Sequence, residues 1–142
     1  MAMGLFTVNA PRIYRSGMTA SPSHKAAETA LRRYALSLPE ASEQFPWGER
    51  VIKVRGKIFV FLGLVEDQLR VNVKLPISSQ MALTLPYVQP SGYGLARTGW
   101  VTAHVPTGQQ PAVDLLKTWI AQSYCAVAPK KLAAQVPTMV TK

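Results

Sequence analysis

Few residues in this chain are of a kind that makes or breaks covalent bonds. Cys125 is the single cysteine, and His24 and His104 are the two histidines. A thiol needs a base to become a nucleophile, and that base needs a partner to hold its tautomer. No Asp or Asn is spaced to orient His104 beside Cys125, and no oxyanion loop is readable. One cysteine excludes an intramolecular disulfide and a multi-cysteine zinc site, and two distant histidines without a third ligand make no metal centre. Gly92-Tyr93-Gly94 lacks the strand, turn and helix context of a phosphate-cradling loop. The expectation is a protein that is not an enzyme and carries no metal or cofactor, with Cys125 as a small buried hydrophobe.

Binding chemistry is more visible. From Phe45 to Phe61 the chain reads Phe-Pro-Trp-Gly-Glu-Arg-Val-Ile-Lys-Val-Arg-Gly-Lys-Ile-Phe-Val-Phe, an aromatic loop running into a basic hairpin. Flat rings interleaved with Arg and Lys suit single-stranded nucleic acid, because bases stack on rings while cations meet phosphates, and each stacked base contributes roughly 1–3 kcal/mol. The formal charge of +9 arises from sixteen Lys and Arg against only seven carboxylates in 142 residues. Such a balance favours polyanions and excludes storage of hard cations, which needs clustered carboxylates. The plain alternative is that the charge serves solubility.

The elements that must position these groups follow from periodicity. Residues 1–23 carry Arg12 and Arg15 without a carboxylate and read as a basic arm or a leader without structural role. Residues 24–136 form one domain and 137–142 a tail. Ala27, Ala30, Leu31, Tyr34, Ala35 and Leu38 recur at helical spacing behind Ser21-Pro22, with Glu28 one turn before Arg32 as an expected ion pair. Strands are expected at Arg50–Val54, Lys57–Val65, Gln68–Leu75 and Gly99–Val105, a short helix at Ile77–Leu85, a long helix opening at Pro111, and a last turn at Pro129–Gln135. The segments around Glu40 and Glu43 and from Pro86 to Thr98 read as loops. No run of 18 apolar residues and no secretory pattern is present, so a cytoplasmic protein without a membrane partner is expected.

Two-residue turns at Arg55-Gly56 and Glu66-Asp67 would pair Val54 with Lys57 and Val65 with Gln68. Strict alternation then puts Arg50, Ile52, Val54, Lys57, Phe59, Phe61, Arg70, Asn72 and Lys74 on an open face with Trp100, Thr102 and His104. Val51, Lys53, Ile58, Val60 and Leu62 fall on the helix-covered face. A bulge at Gly56 would reverse the first strand and carry Lys53 outward with Val51. Lys53, Arg55 and Lys57 make one basic wing at a hairpin tip, whereas Glu66-Asp67 makes the other tip acidic.

The Phe45-Pro46-Trp47-Gly48-Glu49 loop, the Gly56-Lys57-Ile58-Phe59 hairpin, the Gly99-Trp100-Val101 strand and the closing Ser123-Tyr124 and Lys130-Lys131-Leu132, in this order, resemble the MmcQ/YjbR family over roughly residues 25–136. Ala126 departs from the larger aliphatic residue usual there. The resemblance implies an α+β fold like that of frataxin and CyaY, an antiparallel sheet with N- and C-terminal helices on one face. It also implies the family's label, a predicted DNA-binding protein with a double-wing motif, and supplies no catalytic residues. Iron handling does not follow from the shared fold, since the first helix holds only Glu28.

The sequence thus points to a nucleic-acid-binding domain, most simply for DNA, using Arg50, Lys53, Arg55, Lys57, Phe59, Phe61, Arg70 and Lys74, with Lys130 and Lys131 adding phosphate contacts and Trp47 and Trp100 as aromatic anchors. The alternative is a protein- or small-ligand-binding module whose aromatic face takes a partner or a second copy of the chain.

Overall fold

The computed structural model describes residues 22–137. The basic arm expected at the N-terminus lies almost wholly outside these residues, as does most of the tail. Helix α1 (Pro22–Leu36) is followed by strands β1 (Ala41–Gln44), β2 (Val51–Val54), β3 (Lys57–Val65) and β4 (Gln68–Lys74), then by a short helix α2 (Ser79–Ala82), β5 (Val88–Pro90), β6 (Trp100–Val105), α3 (Val113–Val127) and a one-turn α4 (Lys130–Ala133). Two 3-10 turns, Pro46–Gly48 and Leu95–Thr98, shape the loops. The protein is α+β: the six strands form one antiparallel sheet in the order β1-β2-β3-β4-β6-β5, and α1 and α3 pack together against it.

Helix α1 starts at a proline, whose fixed φ and missing N–H suit a first turn. Its stripe Ala27, Leu31 and Ala35, extended by Leu38 beyond the helix, is buried against the sheet. From α3, Leu116, Trp119, Ile120 and Tyr124 join them over Val60, Leu62, Leu69, Val71, Val73, Val101 and Ala103. Strand β4 behaves as its alternation predicts, with Leu69, Val71 and Val73 buried and Gln68, Arg70, Asn72 and Lys74 turned to the other face.

Both hairpin turns are as short as expected. Val54 faces Lys57 and Val65 faces Gln68, and all four turn residues have positive φ, as a two-residue turn matched to strand twist requires. Between the turns, alternation fails once. Val51 pairs with Phe61 and Ile52 with Val60, but Lys53 pairs with Ile58, so Phe59 is an extra residue in β3 opposite no partner in β2. The bulge sits at Phe59, three residues from the Gly56 position considered above, and it reverses β2 as such a bulge should. Ile52 and Val54 therefore enter the core, and Val51, Lys53 and Ile58 turn to the outer face; Lys57, paired with Val54, leaves the open face on which strict alternation puts it and sits exposed at the helix-side rim of the turn. Phe59 is the main correction: it is fully buried on the helix side, with its ring edge-on to Tyr124 at 5.1 Å.

A helix residue satisfies the bulge. The backbone N–H of Lys74 donates to the Ser123 hydroxyl at 2.8 Å, and that hydroxyl donates in turn to the Phe59 carbonyl at 2.6 Å. Tyr124, next in sequence, packs against the Phe59 ring and donates its hydroxyl to the Pro39 carbonyl at 2.6 Å. The Ser-Tyr pair thus holds the sheet open at one point and ties α3 to the segment leaving α1. At the far side of β4, Gly99 (φ +92) lets the chain lie against Leu75; a Cβ there would fall 2.9 Å from the Leu75 carbonyl carbon, and Leu75 N–H donates to Gly99 O at 2.8 Å.

Two segments read as loops contain strands. Ala41–Gln44 adds an edge strand to β2, and Val88–Pro90 adds one to β6. Neither has an apolar alternation of its own; each is defined by its neighbour.

Ser123→Ala removes the bridge and leaves the Lys74 N–H and the Phe59 carbonyl without a partner in a closed site. The expected loss is about 2–4 kcal/mol in urea unfolding, with an unchanged denaturant slope. A loss below 1 kcal/mol would mean that the β3–β4 ladder closes without the serine.

Candidate functional site

The register defines three rows across the outer face. The first runs through Ser42, Lys53 and Ile58 and ends at the neighbours Lys74 and Trp100; the second contains Gln44, Val51, Phe61, Asn72, Thr102 and Gln89; the third contains Gly63, Arg70 and His104. Phe61 and Trp100 touch edge-to-face at 5.7 Å, a favourable aromatic geometry. Phe61 is half-buried and Trp100 only 8% exposed, so the pair is less open than a free stacking platform. Asn72 donates to Thr102 Oγ1 at 2.7 Å, and Ser91 and Thr102 share a further hydroxyl bond at 2.9 Å.

The arginines expected on this face are largely committed elsewhere. Arg50 donates to Glu43 and to Glu28, each at 2.7 Å. Arg32 grips Glu43 with two parallel bonds of 2.7 and 2.8 Å, so its partner is Glu43 rather than the Glu28 one turn before it. Glu43 therefore bridges two guanidiniums and fastens the edge strand β1 to α1 and to the start of β2. Arg55 pairs with Glu40, and Arg70 pairs with Glu49. Four of the seven carboxylates thus meet four arginines, so Arg50, Arg55 and Arg70 each carry an ion-pair partner, the Arg55–Glu40 pair being the most exposed.

The lysines fare differently. Lys53, Lys57 and Lys74 form no ion pair among the described residues, and neither do Lys130, Lys131, Arg33 and Arg97. The topology brings these cations to one end of the domain. The β2–β3 turn, the end of β4, the loop before β6, the last turn of α1 and the C-terminal end of α3 all lie there. Glu66 and Asp67 at the β3–β4 turn and Asp114 in the first turn of α3 lie at the opposite end. Lys25 and Lys117 are the exceptions to this segregation, Lys117 lying 5.9 Å from the Tyr34 ring.

Tyr93 carries no binding signal in the sequence, where it reads only as part of a connecting loop, yet it is fully exposed at the basic end, with a left-handed backbone (φ +58), beside Gly94 (φ +79) and close in sequence to Arg97. Its position is a tertiary fact, because only the pairing of β5 with β6 brings its loop to the Lys74–Trp100 corner. Trp47 lies in the Pro46–Gly48 turn, but its side chain falls outside the described residues.

Two cavities flank the lower half of the sheet. One, of about 340 Å³, lies where β2 leaves β3, lined by Phe45, Leu62, Gly63 and Leu64 and walled by the Arg50 and Arg70 ion pairs. Arg50 also sits 5.3 Å over the Phe45 ring. The other, of about 330 Å³, lies beside His104 at the outer edge. His104 and Cys125 stand on opposite sides of the sheet, and among the described residues no three His, Cys, Asp or Glu side chains gather as metal ligands. Burial pushes the Cys125 thiol up from its ordinary pKa, and its sulfur lies 3.7 Å from the Ala133 carbonyl. No helix among these residues is long and apolar enough to cross a membrane.

The clamp on Glu43 has a pH signature. Hydrogen bonds and charge from Arg32, with a further contribution from Arg50, hold its carboxyl below the usual range against the opposing effect of burial. Its stabilisation is fully present above the unfolded carboxylate value of about 4.3 and is lost as pH falls through the lower folded value. Glu43→Gln is expected to cost about 1.5–3 kcal/mol at pH 7 and to flatten the acid limb of a stability–pH profile. An unchanged acid limb would place the pH dependence elsewhere.

Comparison with known proteins agrees with this architecture. A search of curated proteins finds no match. The fold is similar to the crystal structure of the Deinococcus radiodurans protein DR2400, which carries the family-model domain DUF419. The TM-score is 0.61 and the identity 24%, over 79% of this chain and 90% of that one. The family model YjbR matches residues 36–126, from the end of α1 through Ser123-Tyr124, and DUF419 is the same YjbR/MmcQ family. With the motifs of the aromatic loop, the basic hairpin and the Ser-Tyr pair all inside or bordering the elements just described, this chain belongs to the YjbR family.

Proposed function

We propose that this domain is a nonenzymatic nucleic-acid-binding module that holds its ligand at the basic end of the sheet. The observation that supports this reading is the segregation of charge: unpaired lysines collect at the end bearing the β2–β3 turn, while the carboxylates are either locked to arginines or sit at the opposite end. Such an arrangement steers a polyanion to one place and orients it on arrival. Lys53 and Lys57 at the hairpin and Lys74 beside Trp100 meet phosphates, with Lys130 and Lys131 widening the field. Tyr93, Phe61 and the edge of Trp100 offer rings to unstacked bases, which favours a single strand over a duplex. The wing is single, since the β3–β4 turn is acidic.

A protein partner, or a second copy of the chain, is the second reading. Ile77 and Met81, 77% and 75% exposed around α2, lie at the same end of the sheet as Tyr93. An interface built on these groups would depend little on salt.

Fluorescence anisotropy with labelled oligonucleotides separates the two. The wild type is expected to bind with a steep salt dependence, and Lys57→Glu with Lys74→Glu to reduce affinity at least tenfold and the log–log salt slope by about 1.5. Lys25→Glu with Lys117→Glu makes the same change in net charge away from this end and is expected to have the smaller effect. Equal losses from the two double variants would reduce the reading to net charge, and absence of oligonucleotide binding would overturn it.

A further inference from the structure

The cavity of about 330 Å³ at the β5–β6 edge differs in chemistry from the basic end. It is lined by Gln68, Tyr87, Gln89, His104 and Gln109 together with the apolar Pro86, Val88 and Pro106, and none of its described lining residues carries a formal charge. The register fixes why these groups meet. Gln89 pairs with Thr102 and His104 with Arg70, so both turn to the outer face, as Gln68 does at the start of β4. The His104 N–H donates to the Tyr87 carbonyl at 2.8 Å, which holds the segment leading into β5 against β6. The Gln109 N–H donates to the Pro106 carbonyl at 3.0 Å and turns the chain back along the same corner.

Three carboxamides, an imidazole and a phenol present donors and acceptors without a fixed charge. Among the lining residues a phosphate would find no cation and an ammonium group no carboxylate, and Arg70, which borders His104, is paired with Glu49. A flat neutral ring with donors and acceptors along its edge suits such a lining, and carboxamides can pair with both at once, as Gln does with adenine. A volume near the lower end of ordinary ligand sites fits one ring system better than a folded chain. We infer that this corner is a nucleobase pocket, taking the hydrogen-bonding edge of a single unstacked base. Burial, followed by the charge of Arg70, lowers the pKa of His104, which keeps the imidazole neutral with one donor and one acceptor nitrogen. His104 lies four residues along β6 from Trp100, roughly 13 Å at strand rise, so an oligonucleotide held at the basic end reaches it within a few nucleotides. The source of the base rests on the function proposed above; the pocket itself does not.

Free nucleosides, which lack phosphate, test it independently. In amide NMR titrations of the full chain with adenosine, guanosine, cytidine and uridine, the largest shifts are expected at Tyr87, Gln89, His104 and Gln109, with one nucleoside preferred. His104→Ala, and separately the exposed-site variant Gln89→Ala, should each weaken that nucleoside at least fivefold, while Lys57→Glu with Lys74→Glu should leave it within twofold. Inorganic phosphate should produce no shifts at these four positions. Absence of nucleoside shifts there, or equal shifts from phosphate, would overturn the pocket even if oligonucleotides bind. Nucleoside binding without oligonucleotide binding would support the pocket and overturn the proposed function.

Discussion

The hydroxyl of Ser123 is the point on which the arrangement of both faces depends. By accepting from Lys74 N–H and donating to the Phe59 carbonyl, it satisfies two backbone groups that the bulge takes out of the β3–β4 ladder. Without such a partner the bulge would leave buried polar groups stranded, and a regular strand would be favoured. With the bulge, Phe59 turns into the core against Tyr124, Ile52 and Val54 follow it, and Lys53 is delivered to the outer face beside Ile58. One side-chain oxygen on a helix thereby decides which residues of the hairpin enter the core and which face outward.

Charge is divided by a similar economy of geometry. A planar guanidinium can share a carboxylate through two bonds, whereas a lysine ammonium is a hydrated point charge on a flexible stem. In this domain Arg32 and Arg50 fasten β1 through Glu43, Arg55 holds the segment after α1 through Glu40, and Arg70 reaches the aromatic loop through Glu49. The arginines near the hairpin thus act mainly as fasteners, and the lysines remain for solvent or a ligand. A net charge of +9 does not show this division. It appears only when each carboxylate has been assigned a partner.

The outer face consequently has two chemical halves. Toward the β2–β3 turn it is cationic, with Phe61 and Trp100 in edge contact and Tyr93 beyond them. Toward the β3–β4 turn it is polar and uncharged at the His104 corner, bordered by the Arg70–Glu49 pair. The two halves suit the two parts of a nucleotide, an anionic backbone and a neutral ring. That correspondence gives the proposed ligand a direction along the sheet.

Sequence alone determined the α+β class, both long helices, four of the six strands and both two-residue turns, because each has a local signal: apolar stripes at helical spacing, alternation, prolines and turn residues. The ordered motifs identified the family for the same reason. It also put Lys53 and Lys57 beside the β2–β3 turn and Lys74 on the outer face, but it assigned Lys53 and Lys57 to the wrong sides of the sheet, because the bulge lies between them and the rest of β3. Only tertiary structure decided the rest. The edge strands β1 and β5 exist because a neighbour offers a ladder. The bulge exists because a serine 64 residues away supplies its hydrogen bonds. Arg32 pairs with Glu43 instead of the Glu28 that helix spacing suggests, because β1 carries Glu43 there. Each of these depends on contacts between residues far apart in the chain, and a local pattern holds no record of which distant group will arrive.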